Sequence, residues 1–238
     1  MYRVLSQLSR SFSNATPYYR VSSKSTPNMI HNLSSSLSSS LSSRYNTGFV
    51  CESSSQLRHT IPNVSSVSNI IYNNKARSSK DILYSKQHNI QQYVVANHSE
   101  LKRIHAILPN AIFWVKTKIT PEGVEESKKM IDYIWEHKCL YNGIYYDMKQ
   151  FSNGHLPAPV YSHKIALNYI CRNVFPYLDE LGLHTDAIHI NGTNEVNNMQ
   201  NMINLFSILQ EHNILQLLYK RGISLQFSLN FLFRNQIV

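Results

Sequence analysis

The sequence predicts an α/β fold: a small, mostly parallel sheet with helices, after a disordered N-terminal leader. Two observations carry that expectation. From residue 99 onward, short apolar and β-branched runs alternate with helical periodicities, in the order strand, helix, strand, helix, strand, helix. Before that point the chain is rich in Ser and Asn, with only scattered apolar residues. The chain therefore divides into a transit-peptide-like leader over 1–50, a linker over 51–98 and a single α/β domain over 99–238.

The leader opens MYRVLSQLSRSF. At 100° per residue, Val4, Leu5, Leu8 and Phe12 share one apolar face while Arg3 and Arg10 lie opposite. No acidic residue precedes Glu52, and serines crowd positions 34–43. An amphipathic, Arg-bearing, Ser-rich and acid-poor start is the composition of an organelle transit peptide, so the expected destination is the mitochondrial matrix. The leader and the first part of the linker also explain the charge. Of a net charge of +9, residues 1–80 carry +8 and the remainder only +1. A basic patch for nucleic acid is thus not expected on the folded part. The three cysteines, Cys51, Cys139 and Cys171, form no CxxC pair, which excludes a disulfide framework or zinc ribbon. No apolar run reaches the ~20 residues needed to cross a bilayer.

Each element of the domain has a local reason. Ser99 caps a short helix that Pro109 stops. Ala111 to Ile119 reads as a strand, being apolar, aromatic and too short for a favoured helix. Thr120-Pro121-Glu122 starts a helix in which Val124, Lys128, Ile131 and Trp135 recur at helical spacing, with Trp135 assigned to the core. Asn142-Gly143 turns the chain, and Ile144 to Met148 makes a second strand. A polar loop from Lys149 to Tyr161 leads to a helix over about 162–181. Its stripe, Leu167, Cys171, Val174, Leu178 and Leu181, makes Cys171 a core residue, and Pro176 predicts a kink. Asp186 to Ile190 is a third strand, followed by Asn191-Gly192-Thr193-Asn194 as the cap of a helix over Val196, Met199, Ile203 and Phe206. From Ile223 to Phe231 apolar and polar residues alternate, the period of an edge strand with one wet face.

This order of elements, over about Ala111 to Phe227, is similar to that of the STAS domain, the anti-anti-sigma-factor fold of partner-switching regulators. The resemblance implies a regulatory module with a phosphorylatable serine after an aspartate. Here that place holds Gln150-Phe151-Ser152-Asn153-Gly154-His155, with no Asp-Ser pair.

In a parallel sheet the loops after the strands gather at one edge, where α/β folds bind ligands. Asp147, Ser152, His155 and His163 then form a candidate catalytic set of orienter, nucleophile and bases, although no Gly-x-Ser-x-Gly elbow surrounds the serine. Asn191, Thr193 and Asn194 are candidate ligand-binding residues, able to hold a phosphate through a helix start, with simple capping as the commoner use. Walker and dinucleotide glycine fingerprints are absent, and the histidines lack metal spacing, so neither a cofactor nor a metal is expected. The expected function is a mitochondrial interaction module or accessory subunit, non-catalytic, with a protein partner. The alternatives are a hydrolase or transferase using the loop from Asp147 to His163, and an RNA- or ribosome-associated protein.

Overall fold

The computed structural model describes residues 16–20, 48–64, 66–74, 77–147, 159–191 and 213–230. Eight strands, all parallel to their neighbours, close into a barrel in sequence order. They are β1 (Thr16–Arg20), β2 (Gly48–Cys51), β3 (Ile70–Tyr72), β4 (Gln92–Val95), β5 (Ile112–Lys116), β6 (Leu140–Asp147), β7 (Ala187–Asn191) and β8 (Ser224–Asn230). Between them run α1 (Ser54–Thr60), α2 (Ser79–Gln87), α3 (His98–Ile107), α4 (Pro121–Glu136), α5 (Pro159–Asn173), α6 (Phe175–Glu180) and α7 (Ile214–Lys220). The α/β class and the parallel sheet expected from the sequence are present.

Short polar signals start the helices. Ser78 and Asp81 form a reciprocal capping box at α2. The side chains of Asn97 and Thr120 accept from the amides of Glu100 and Gly123 at the starts of α3 and α4. Pro176 falls in the first turn of α6, so the helix expected to kink is broken into α5 and α6. Gly182 follows α6 at φ +67°, a conformation that costs glycine little.

Alternation along the strands builds two cores. Outward residues such as Phe49, Tyr72, Val95, Phe113, Tyr146 and Ile190 pack under the helices. A second cluster of Val50, Ile71, Val94, Trp114, Tyr145 and Ala187 fills the barrel itself. Buried on both faces, such strands read as near-continuous apolar runs. One strand joint is irregular: the β5–β6 register shifts between Phe113 and Trp114, skipping Asn142 and placing Gly143 against Ala187 of β7.

Several expectations are corrected. The stretch 51–98, expected as linker, supplies part of β2, all of β3 and β4, and two helices; β1 and the start of β2 lie within 1–50. The STAS-like order fails because four strands before Ala111 join the sheet and close it into a barrel. The last strand is no edge, since β8 pairs with β7 on one side and β1 on the other. Trp135 is 52% exposed. The buried stripe of α4 runs through Val124, Ser127, Met130, Ile131 and Ile134, and Trp135 lies one residue, or 100°, beyond it. Cys171 is half-buried against the core, and burial pushes its thiol up to about 11. The helix expected over Val196 to Phe206 lies outside the described residues.

Candidate functional site at the barrel mouth

Because all eight strands run parallel, their C-terminal ends share one rim, the face where barrels of this kind carry their chemistry. Inward-facing polar residues collect just below that rim. Lys116 ends β5 and Asp147 ends β6; Nζ of the lysine lies 3.3 Å from Oδ2 of the aspartate, with both side chains buried. Lys116 also sits 5.7 Å from the ring centre of Tyr145. Asn191, at the end of β7 and fully buried, donates through Nδ2 to Oε1 of Glu52, just past β2, at 3.1 Å. Among the described residues its Oδ1 has no hydrogen-bond partner.

One layer deeper, aromatic and amide groups tie the strands together. The Tyr145 and His189 rings stack at 4.8 Å, tilted by 3°. Trp114 meets His189 edge-on at 5.8 Å and donates through Nε1 to Oε1 of Gln92. Gln226 of β8 lies 3.4 Å from Nδ1 of His189. Burial among these groups pushes His189 down to about 3, so the imidazole is neutral throughout the physiological range. Asn73 donates to the Tyr145 hydroxyl at 2.9 Å.

Of the expected site residues, Asp147 and Asn191 stand at this mouth. His163 lies in α5, and Ser152, His155, Thr193 and Asn194 lie outside the described residues. Asp147 faces Lys116, a residue that sequence reasoning passed over as the end of an apolar strand. Sequence reasoning passes over Glu52 and Asn73 too, and takes His189 only as a histidine without metal spacing. The only available signal was their place at or inside strand ends, and the strands around Glu52 and Asn73 were themselves read as linker. A concavity of about 530 Å³ lies elsewhere, on the outer wall between α3 and α4, lined in part by His98, Tyr133 and His137. None of its lining residues is one of the polar groups of the mouth. Among the described residues no cluster of His, Cys, Asp or Glu is arranged for a metal ion. No helix among them is long and apolar enough to cross a membrane.

Comparison with known proteins points to this mouth. A family described as "Pyridoxal-dependent decarboxylase, pyridoxal binding domain" matches residues 1–132, more than half of the chain. Among solved structures, the chain is similar to a lysine decarboxylase from Selenomonas ruminantium, with TM-score 0.71 and 16% identity, covering 96% of this chain and 58% of that one. A lysine/ornithine decarboxylase from Vibrio vulnificus, complexed with putrescine, aligns with TM-score 0.72 and 16% identity over 96% and 60%. An arginine decarboxylase of Paramecium bursaria Chlorella virus, bound to agmatine, aligns with TM-score 0.68 and 16% identity over 96% and 61%. No curated protein matches by sequence. The chain spans about three fifths of these decarboxylases, and at such identity the likeness shows the fold. These matches overturn both the STAS resemblance and the reading as a non-catalytic interaction module. The chain belongs to the family of the pyridoxal-dependent decarboxylases, through their pyridoxal binding domain.

Proposed function

We propose that this chain supplies the barrel, and with it the ligand-facing mouth, of a protein that decarboxylates a basic amino acid. The observation that carries this reading is the family match over 1–132, laid on a closed parallel barrel whose C-terminal rim is polar. Lysine, ornithine and arginine are the substrates to try, because the aligned structures are named for them.

The cofactor that the family name implies has stated chemical needs: an amine for its aldehyde and cationic or amide donors for its phosphate. The described mouth holds two carboxylates, of Glu52 and Asp147, an unpartnered acceptor on Asn191, and one lysine already set against Asp147. Those groups do not fit pyridoxal phosphate. The share of the work assigned to this chain is the barrel and its mouth.

The test is release of labelled carbon dioxide from carboxyl-labelled lysine, ornithine and arginine. The protein should be purified from its own cells, together with whatever copurifies, and assayed with added pyridoxal phosphate. Release from one of the three is expected; release from none sinks the proposal.

A further inference from the structure

The eight strands read TPYYR, GFVC, IIY, QYVV, IFWVK, LYNGIYYD, AIHIN and SLQFSLN, and Lys116 is the one lysine in any of them. We infer that Lys116 serves this barrel as the counter-ion of Asp147 and not as an amine for a carbonyl, so that no pyridoxal is covalently held on the strands of this chain. The inference rests on the decarboxylase-barrel reading above for its choice of ligand, and on the ion pair for its content.

Capture of an aldehyde requires the neutral amine. Its lone pair forms the new C–N bond, and the carbonyl oxygen leaves as water once protons have been transferred to it. The surroundings of Lys116 oppose the first requirement. A buried carboxylate 3.3 Å away favours the ammonium form, and so does the face of the Tyr145 ring. Removing the proton, or turning Nζ toward a ligand, would leave Asp147, itself only 4% exposed, as a buried carboxylate without that cation. The pair also joins the ends of two neighbouring strands, so breaking it loosens the rim.

The test treats the protein, as purified from its own cells, with pyridoxal phosphate and then borohydride, and maps the phosphopyridoxyl group by peptide mass. Lys116 is expected to be unmodified, whatever label the lysines outside the strands carry. Near-stoichiometric label on Lys116 overturns the inference. Two variants test the counter-ion role separately. Lys116→Arg should keep the melting temperature within a few degrees of the parent and Lys116→Met should lower it clearly; equal losses from both also overturn it. Carbon dioxide release together with label on Lys116 would uphold the function and overturn this inference. No release and no label would do the reverse.

Discussion

The side-chain amide of Asn73, just past β3, donates to the hydroxyl of Tyr145 in β6 at 2.9 Å, so two strands three places apart around the barrel are joined through its interior. Tyr145→Phe removes the acceptor and leaves a buried amide donor unpaired, at a cost of about 1–3 kcal/mol. Replacing both residues, as Asn73→Leu with Tyr145→Phe, should cost less than the sum of the single changes. Urea midpoints of the four proteins in that cycle measure it; strict additivity would count against a cross-barrel coupling.

Gly143 is the next test of the barrel wall. A Cβ there would collide with the carbonyl of Ala187, its register partner on β7. Gly143→Ala should cost about 1–3 kcal/mol or more, as overpacking does when the obstacle is backbone. Far-ultraviolet circular dichroism with thermal melting would show it. A melting temperature unchanged from the parent would mean that the strands can part without penalty.

His189 sets a pH dependence whose sign follows from its burial. The folded imidazole is held down to about 3, against an unfolded value of about 6.5. Between those values the unfolded chain binds the proton and the folded chain does not. Stability is therefore complete above about pH 6.5 and falls as pH drops toward 3, by at most about 1.4 kcal/mol per pH unit from this group. His189→Gln loses the stack on Tyr145 but also the titration. The stability gap between parent and variant should narrow from pH 7 to pH 5, and a constant gap would contradict a neutral buried imidazole.

Arg77 and Glu100 form a second buried pair, with Nη2 and Oε1 3.3 Å apart. The guanidinium lies over the rings of Tyr72 and Tyr93 and donates through Nε to the carbonyl of Asn74, while Oε2 of Glu100 accepts from the amide of Ala96. Arg77→Met should cost about 3–5 kcal/mol, because it strands a buried carboxylate. Adding Glu100→Leu should restore part of that loss, and denaturant unfolding of the single and double variants decides the matter.

The amphipathic opening around Arg3 and Arg10 we propose as a mitochondrial import address, with removal ending before Thr16. β1 starts there and pairs on both sides, so a cut past Arg20 would remove a stave of the barrel. Residues 1–50 fused to a fluorescent reporter should enter the organelle. A cytosolic reporter, or a mature N-terminus beyond Arg20, would refute the proposal.

Legibility in the sequence followed strand length and context. Ala111 to Ile119 could be read because its apolar run is long and aromatic, and the observed β5 sits inside it. GFVC, IIY and QYVV could not: each is three or four residues long within Ser- and Asn-rich sequence, too short to establish a period. β8 misled for another reason. Its alternation was read as one apolar face and one wet face, yet Gln226 faces the polar barrel interior beside His189. At the mouth, Asp147 and Asn191 were legible as polar residues ending strands. Lys116 was not, because only the closed ring shows that its side chain turns inward to meet Asp147.

That closure has a consequence for how the molecule is made. Tyr18 of β1 pairs with Gly48 on one side and with Ser228 on the other, so the first described strand and the last are neighbours. During synthesis the outer edge of β1 must wait, its hydrogen bonds unsatisfied, until β8 has been made. Such an edge is a template for another chain. A nascent or truncated copy lacking β8 would thus be prone to clumping, and the cell's chaperones would meet this protein as an open sheet before it becomes a barrel.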